Sequence, residues 1–168
     1  LMEADHLINL PILKAHASMV FSGALKNIKG VVQDKVHMQI HQQNLTMAMM
    51  DVWSACRADI NIMDAMRAAS GYSPHMPVPI ETNMILGSKD PVAIDRVACE
   101  VTGIDTSCVD YFKVAKETGL GNYDLEDIEV VGNTIEESYK KMWIPYIGDM
   151  STRWPEYDVK CEGACSSC

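Results

Sequence analysis

The sequence predicts an α/β fold: a mostly parallel or mixed sheet of about four or more strands, helices on both faces, and an irregular cysteine-containing C-terminal tail. Three observations predict it. Short apolar runs bounded by turn residues alternate with segments of helical period, the pattern of a sheet with crossover helices. The chain has 168 residues, 48% of them apolar and 22% charged, which suits one compact soluble core. Beyond Trp143 the composition shifts to Pro, Gly, Trp and Tyr without periodicity. The organisation expected is therefore an α/β domain over residues 1–142 followed by a tail over residues 143–168.

The elements follow in order. Residues 5–10 read as a short apolar strand closed by Pro11, which cannot donate to a sheet ladder. Residues 18–28 carry Met19, Phe21, Ala24, Leu25 and Ile28 at helical spacing, with Ser18 to cap the helix and Gly30 to end it. Leu45, Met49, Val52, Trp53 and Cys56 mark a long amphipathic helix over about residues 38–57. Residues 60–63 form a second strand ending at Asp64, and residues 71–79, with three prolines and a glycine, form a loop. Residues 83–86 are a third strand. Asp90 and Pro91 are a cap and first-turn pair opening a helix to about Val101. Another helix spans residues 107–118 up to Gly119, a fourth strand residues 127–131, and a short helix residues 134–142.

The net charge of −9 argues against nucleic acid as a partner, because phosphate backbones require a basic surface. No apolar run reaches the roughly 18–20 residues of a membrane span. No charged-then-apolar leader precedes the first strand, so a cytoplasmic protein is expected. Leu1 falls inside a structural segment and Cys168 inside a cysteine cluster, so the chain is expected to be part of something larger. The twelve methionines are expected to fill core gaps. Nothing in the sequence fixes the oligomeric state.

Charge is uneven along the chain. The first thirty residues carry Lys14, Lys26 and Lys29 against Glu3 and Asp5, which suits a small anionic ligand. Lys14 and His16 follow the first strand, at the carboxyl end where open α/β sheets bind ligands, and in extended chain they share one face. Lysine offers a charge for carboxylate or phosphate, and histidine a base or metal ligand. Lys26, Asn27 and Lys29 form a second polar group, although lysines in a last helical turn also meet the helix dipole. His37 and His41 stand four residues apart, on one face of a helix. Asp64 and Asp95 are the acidic candidates, and Asp90 is read as a cap. Cys56, Cys99 and Cys108 fit apolar helix faces as buried thiols.

Cys161, Cys165 and Cys168 form C-x3-C-x2-C, close enough for thiolates to converge on an iron–sulfur cluster or on zinc or another divalent metal. Unligated thiols remain the alternative. Three ligands are visible, so a fourth must come from elsewhere. There is no Gly-rich dinucleotide loop, P-loop or nucleophile elbow.

Together these segments resemble one family. ADHLINLPILKAH (residues 4–16) is similar to the DUF362 pattern of apolar strand, proline and Lys-x-His. SGALKNIKG (residues 22–30) resembles its Gly-Ala-x-Lys-Asn-x-x-Gly signature. His41, ten residues before Asp51, IMDA (62–65), SKDPVAID (88–95) and GLGNYDLEDIEVVG (119–132) complete the series. The resemblance implies an anaerobe-rich family often joined to ferredoxin-like segments, and an N-terminal portion not represented here. It also implies function for Lys14, His16, Lys26, Asn27 and His41. The cysteines depart from the ferredoxin spacing C-x2-C-x2-C-x3-C-P.

Three functions are expected in order. The first is a metal- or cluster-dependent redox enzyme acting on a small anionic substrate. There His16, His41, Lys14, Asp64 and Asp95 are catalytic, and Lys26, Asn27 and Lys29 bind substrate. The second is a non-catalytic iron–sulfur electron carrier or assembly partner that binds a redox protein. The third is a structural zinc module.

Overall fold

A computed structural model describes residues 3–17, 19–33 and 45–144. Its centre is a mixed sheet of five strands, in agreement with the expected α/β class: β1 (Ile8–Asn9), β2 (Ile12–His16), β3 (Val20–Ser22), β4 (Ile60–Tyr72) and β5 (Met76–Ser88). β1 and β2 both run parallel to β4, Ile8 beside Ile60 and Ile12 beside Asp64 in one register that shifts before Lys14 meets Ala69. β3 pairs antiparallel on the outer side of β2, and β5 pairs antiparallel with β4.

Several elements differ from the sequence reading, each for a physical reason. The first strand does not end at Pro11. Pro11 interrupts the ladder, but its carbonyl still accepts the Asp64 N–H at 2.8 Å, so the extended chain continues to His16. Residues 18–28 are not one helix. Residues 20–22 return along β2 as β3, and the helix proper is only α1 (Ala24–Asn27), which tightens into a 3₁₀ turn at Ile28–Val31. Residues 71–79 are not a loop: β4 and β5 make one long hairpin across them. Pro77 pairs with Gly71 and Pro79 with Ala69, alternate positions on a strand whose other edge is unpaired among the described residues. An edge strand tolerates prolines because their missing N–H can face away from the ladder. Residues 128–131 form no strand, and the expected helix over residues 134–142 shrinks to α5 (Ile135–Ser138), opened by a Thr134/Glu137 capping box.

The remaining helices are α2 (Leu45–Ala55), α3 (Pro91–Thr102) and α4 (Asp110–Thr118). The start expected for α2 near residue 38 lies outside the described residues. In α2, Leu45, Met49 and Trp53 recur every four residues and are all buried. α3 begins as expected, the Asp90 carboxylate accepting the Val92 and Ala93 N–H groups, and ends on Gly103 at φ 65°, a left-handed residue.

The core lies on one side of the sheet. Leu13 and Ala15 of β2 and Met63, Ala65 and Ala68 of β4 meet Leu25, Met49, Trp53, Val92, Ala98 and Phe112 from the helices. Among the described residues the helices cover this side, while Ile8, Ile12, Ile62 and Ile85 on the other stay exposed. β4 bulges against β2 between Asp64 and Ala69, and opposite Met66 β5 carries one extra residue at Thr82–Asn83, so both ladders slip register there. None of the described helices is long and apolar enough to cross a membrane.

Candidate functional site

The candidate site grows from β2, β3 and α1. Along β2 the side chains alternate: Leu13 and Ala15 are buried, whereas Lys14 and His16 are partly exposed on the opposite side. Both lie within the strand, near its carboxyl end, rather than in a loop beyond it. Lys14 stands beside Ser22 of β3 and Ala69 of β4. The His16 Nδ1 accepts the Met19 N–H at 3.2 Å, so in the neutral ring the proton resides on Nε2. The return into β3 is tight enough to force Val20 to φ 64°, a conformation that β-branched residues adopt at a cost of about 1–3 kcal/mol.

A buried carboxylate then starts α1. Asp95, inside α3 and fully buried, accepts the Ala24 N–H at 2.5 Å and the Leu25 N–H at 3.0 Å. The Tyr111 hydroxyl from α4 reaches it at 3.5 Å. Burial pushes the Asp95 carboxyl up to about 7, against the opposing pull of the Leu25 and Ala24 amides and the Tyr111 hydroxyl. Gly23 is required in front of it, because a Cβ there would stand 2.2 Å from the Asp95 Oδ1. At the other end of α1 the Trp53 indole donates to the Leu25 carbonyl at 2.9 Å.

A line of amides fixes the side of α1 against the sheet. Asn27 donates to the Asn9 Oδ1 at 2.8 Å, and Asn9 donates to the Asn61 Oδ1 at 2.9 Å and to the Ala24 carbonyl at 3.0 Å. Asn61 donates to the Ser88 carbonyl at 3.2 Å. Asn9 and Asn61 are buried polar residues with their hydrogen bonds supplied by one another, the condition under which burial is tolerated.

The frame places Lys26 of α1 where the charges of Lys29 and Lys14 act on it. Burial, then Lys29, then Lys14 lower the Lys26 ammonium to about 8. Burial alone lowers Lys14 and Lys29. The charges that act on Lys26 are thus of its own sign, in a chain whose net charge is −9. The arrangement can hold an anion, and Lys26 can exchange a proton near neutrality.

The other sequence candidates fall elsewhere. Asp64 sits in the middle of β4, not at its end, on the exposed side of the sheet; its Oδ1 takes the Met66 N–H at 2.9 Å and so holds the bulge. Asp95 is enclosed behind α1 and positions it. His37, His41, Cys161, Cys165 and Cys168 lie outside the described residues. Among the described residues no three His, Cys, Asp or Glu side chains gather as a metal site. Cys99 is buried as expected, and burial pushes its thiol up, but Cys108 is exposed at the end of a 3₁₀ turn and Cys56 is half-buried. A groove of about 290 Å³ opens between β5, α3 and residues 128–135, lined by Leu86, Val97, Val101, Val130 and Ile135. The lysines do not line it. Sequence reasoning missed Asn9, Asn61 and Gly23. An asparagine inside each of two isoleucine-flanked strand segments was the available signal, since an amide at a core-facing strand position needs a partner.

Comparison with known proteins sharpens this picture. The thylakoid-associated protein sll1697 of Synechocystis is 27% identical over 125 residues, which are 71% of this chain and 39% of that protein. The chain thus spans about two-fifths of the length of this curated relative. No solved structure matches. The model of a domain of unknown function, DUF362, matches residues 1–100, the segment that contains β1 to β5, Lys14, Lys26, Lys29 and Asp95. The chain belongs to the DUF362 family.

Proposed function

We propose that the chain binds a small anion, a phosphate or carboxylate group, among Lys14, Lys26 and Lys29, as the substrate site of a redox enzyme. The observation that supports the reading is that Lys26, partly buried on α1, lies under the like charges of Lys29 and Lys14. Holding ammonium groups together costs energy that an anion between them offsets. His16, on the same side of β2 as Lys14, is placed to exchange a proton with the bound group. Electrons would come from an iron–sulfur cluster held by Cys161, Cys165 and Cys168, a role supported by their spacing alone.

Isothermal titration with inorganic phosphate tests the site. Lys26→Gln removes one charge-assisted contact, worth about 1.5–3 kcal/mol, and should weaken binding roughly ten- to a hundredfold. For the native chain, affinity should fall as pH rises through about 8, where Lys26 loses its proton. Phosphate binding unaffected by Lys26→Gln and Lys14→Gln would refute the site. The redox part is tested separately by iron and sulfide content after anaerobic purification, beside a Cys165→Ser control. Zinc in place of iron and sulfide would favour a structural tail. A cluster present without phosphate binding would favour an electron carrier.

A further inference from the structure

The side of the sheet opposite the helices has the wrong composition for a solvated face. Alternation puts Ile8, Leu10 and Ile12 on one side of the β1–β2 segment, while Asn9, Pro11 and Leu13 point into the core. The register carries that side across the sheet: Ile8 lies beside Ile60, Ile12 beside Asp64, and Asp64 beside Ile85, with Ile62 two residues before Asp64. Ile85 is 68% exposed, Leu10 63%, Ile8 56% and Ile12 50%. A sheet with one wet face alternates apolar-in and polar-out, whereas a sheet containing parallel pairs is ordinarily covered on both faces. A contiguous apolar patch across the strands marks an interface.

We infer that this face is an interface, and that its occupant is further sequence of the same polypeptide, corresponding to the part of the cyanobacterial relative that has no counterpart in these 168 residues. The matched 125 residues are 39% of the cyanobacterial relative, which is therefore about 320 residues long, and about three-fifths of it has no counterpart here. A covering βαβ unit needs only about 30 residues. The occupant must present an apolar surface with a hydrogen-bond donor or cation facing Asp64, whose carboxylate sits amid the isoleucines. A second copy of this chain fits poorly, because a twofold axis through the patch would bring two Asp64 carboxylates together in apolar surroundings. Lys14 and His16 lie on the same side of β2 as Ile12, so the cover would form the far wall of the lysine site. The inference stands independently of what that site binds.

The test is site-specific photocrosslinking. p-Benzoylphenylalanine is incorporated at position 85 in the protein expressed from its own locus, and the crosslinked peptides are identified by mass spectrometry. The expected product maps to the same polypeptide, outside these 168 residues. Crosslinks confined to a second copy of this face, to residues 145–168 or to unrelated proteins, or no crosslink at all, would overturn the inference. As a second readout, the 168-residue chain purified alone should bind the neutral dye Nile red, and Ile62→Lys with Ile85→Lys should abolish that binding without lowering the melting temperature. Dye binding unchanged in the double variant would equally count against the face being open surface.

Discussion

Asp95 makes the stability of this domain depend on pH in the direction opposite to that of a salt-bridged carboxylate. Its side chain is 0% exposed, and burial moves its carboxyl from 3.8 to about 7. In the unfolded chain the group loses its proton near 3.8, and in the folded chain near 7. Between those values the folded state holds the extra proton, so stability falls as pH rises from about 4 to about 7 and then levels off. The shift of about three units corresponds to about 4 kcal/mol, a large share of a total stability of about 5–15 kcal/mol. The groups around Asp95 do not reverse the sign. Tyr111 from α4 donates to it, Cys99 is a buried thiol one turn along α3, and Arg96 turns away to pair with Glu100. Asp95→Asn removes the titration but keeps the shape. At pH 4.5 the variant should be less stable by about 1–3 kcal/mol, because its amide NH₂ meets a backbone N–H that now lacks an acceptor. By pH 8.5 that deficit should close or invert, since the native chain has by then lost its 4 kcal/mol. Urea unfolding followed by far-ultraviolet circular dichroism at several pH values and constant ionic strength measures both curves. Parallel curves for the two proteins between pH 4.5 and 8.5 would show that Asp95 ionises at no cost, and the reasoning would fail.

Other consequences follow from the same geometry. Gly23→Ala drives a Cβ to 2.2 Å from the Asp95 Oδ1, so it should lower the unfolding midpoint by the equivalent of about 3 kcal/mol or more, whereas Gly30→Ala, with open space around it, should not. Lys29→Met should raise the pKa of Lys26 from about 8 more than Lys14→Met does, because Lys29 is the larger of the two coulombic causes; carbon-detected NMR of labelled lysine reads both shifts. Asn61→Leu should cost about 1–3 kcal/mol by stranding the Asn9 amide and the Ser88 carbonyl, visible as a fall in melting temperature.

The parts of the fold that local chemistry controls were legible in the sequence. Asp90 and Pro91 open α3, Gly119 closes α4 in a left-handed conformation, and the four-residue recurrence in α2 marks its buried stripe. The parts set by distant partners were not. Residues 18–28 have helical spacing, but hydrogen bonding to β2 extends residues 20–22, and the buried carboxylate seventy residues later fixes where α1 begins. Pro77 and Pro79 look like part of a loop until β4 is there to pair with them. Residues 128–131 have the β-branched composition of a strand, yet among the described residues they lie across a groove from β5 instead of on its edge. For the site, the sequence pointed to Lys14, His16, Lys26, Asn27 and Lys29, which the fold gathers around β2 and α1. It could not separate these from Asp64 and Asp95, because a carboxylate that holds a bulge and one that starts a helix are chemically identical, in a string of letters, to one that faces a ligand.

The same contacts show how α1 is held. A four-residue helix such as α1 has almost no stability of its own, since nucleating a helical turn is unfavourable and few bonds follow to offset it. It nevertheless carries Lys26 close to two other amines, a placement that repulsion opposes. What keeps it in place comes from three other segments: the Asp95 carboxylate of α3 at its first turn, the Trp53 indole of α2 on its Leu25 carbonyl, and the Asn9–Asn61 pair of the sheet on Asn27. Gly23 and Asp95 therefore form one device although they belong to two motifs, because the glycine leaves the space that the carboxylate fills. Thus the string from Asp90 to Asp95 anchors the helix that carries Lys26. A fragment ending before α3 would keep the letters of the lysine motif and lose its geometry.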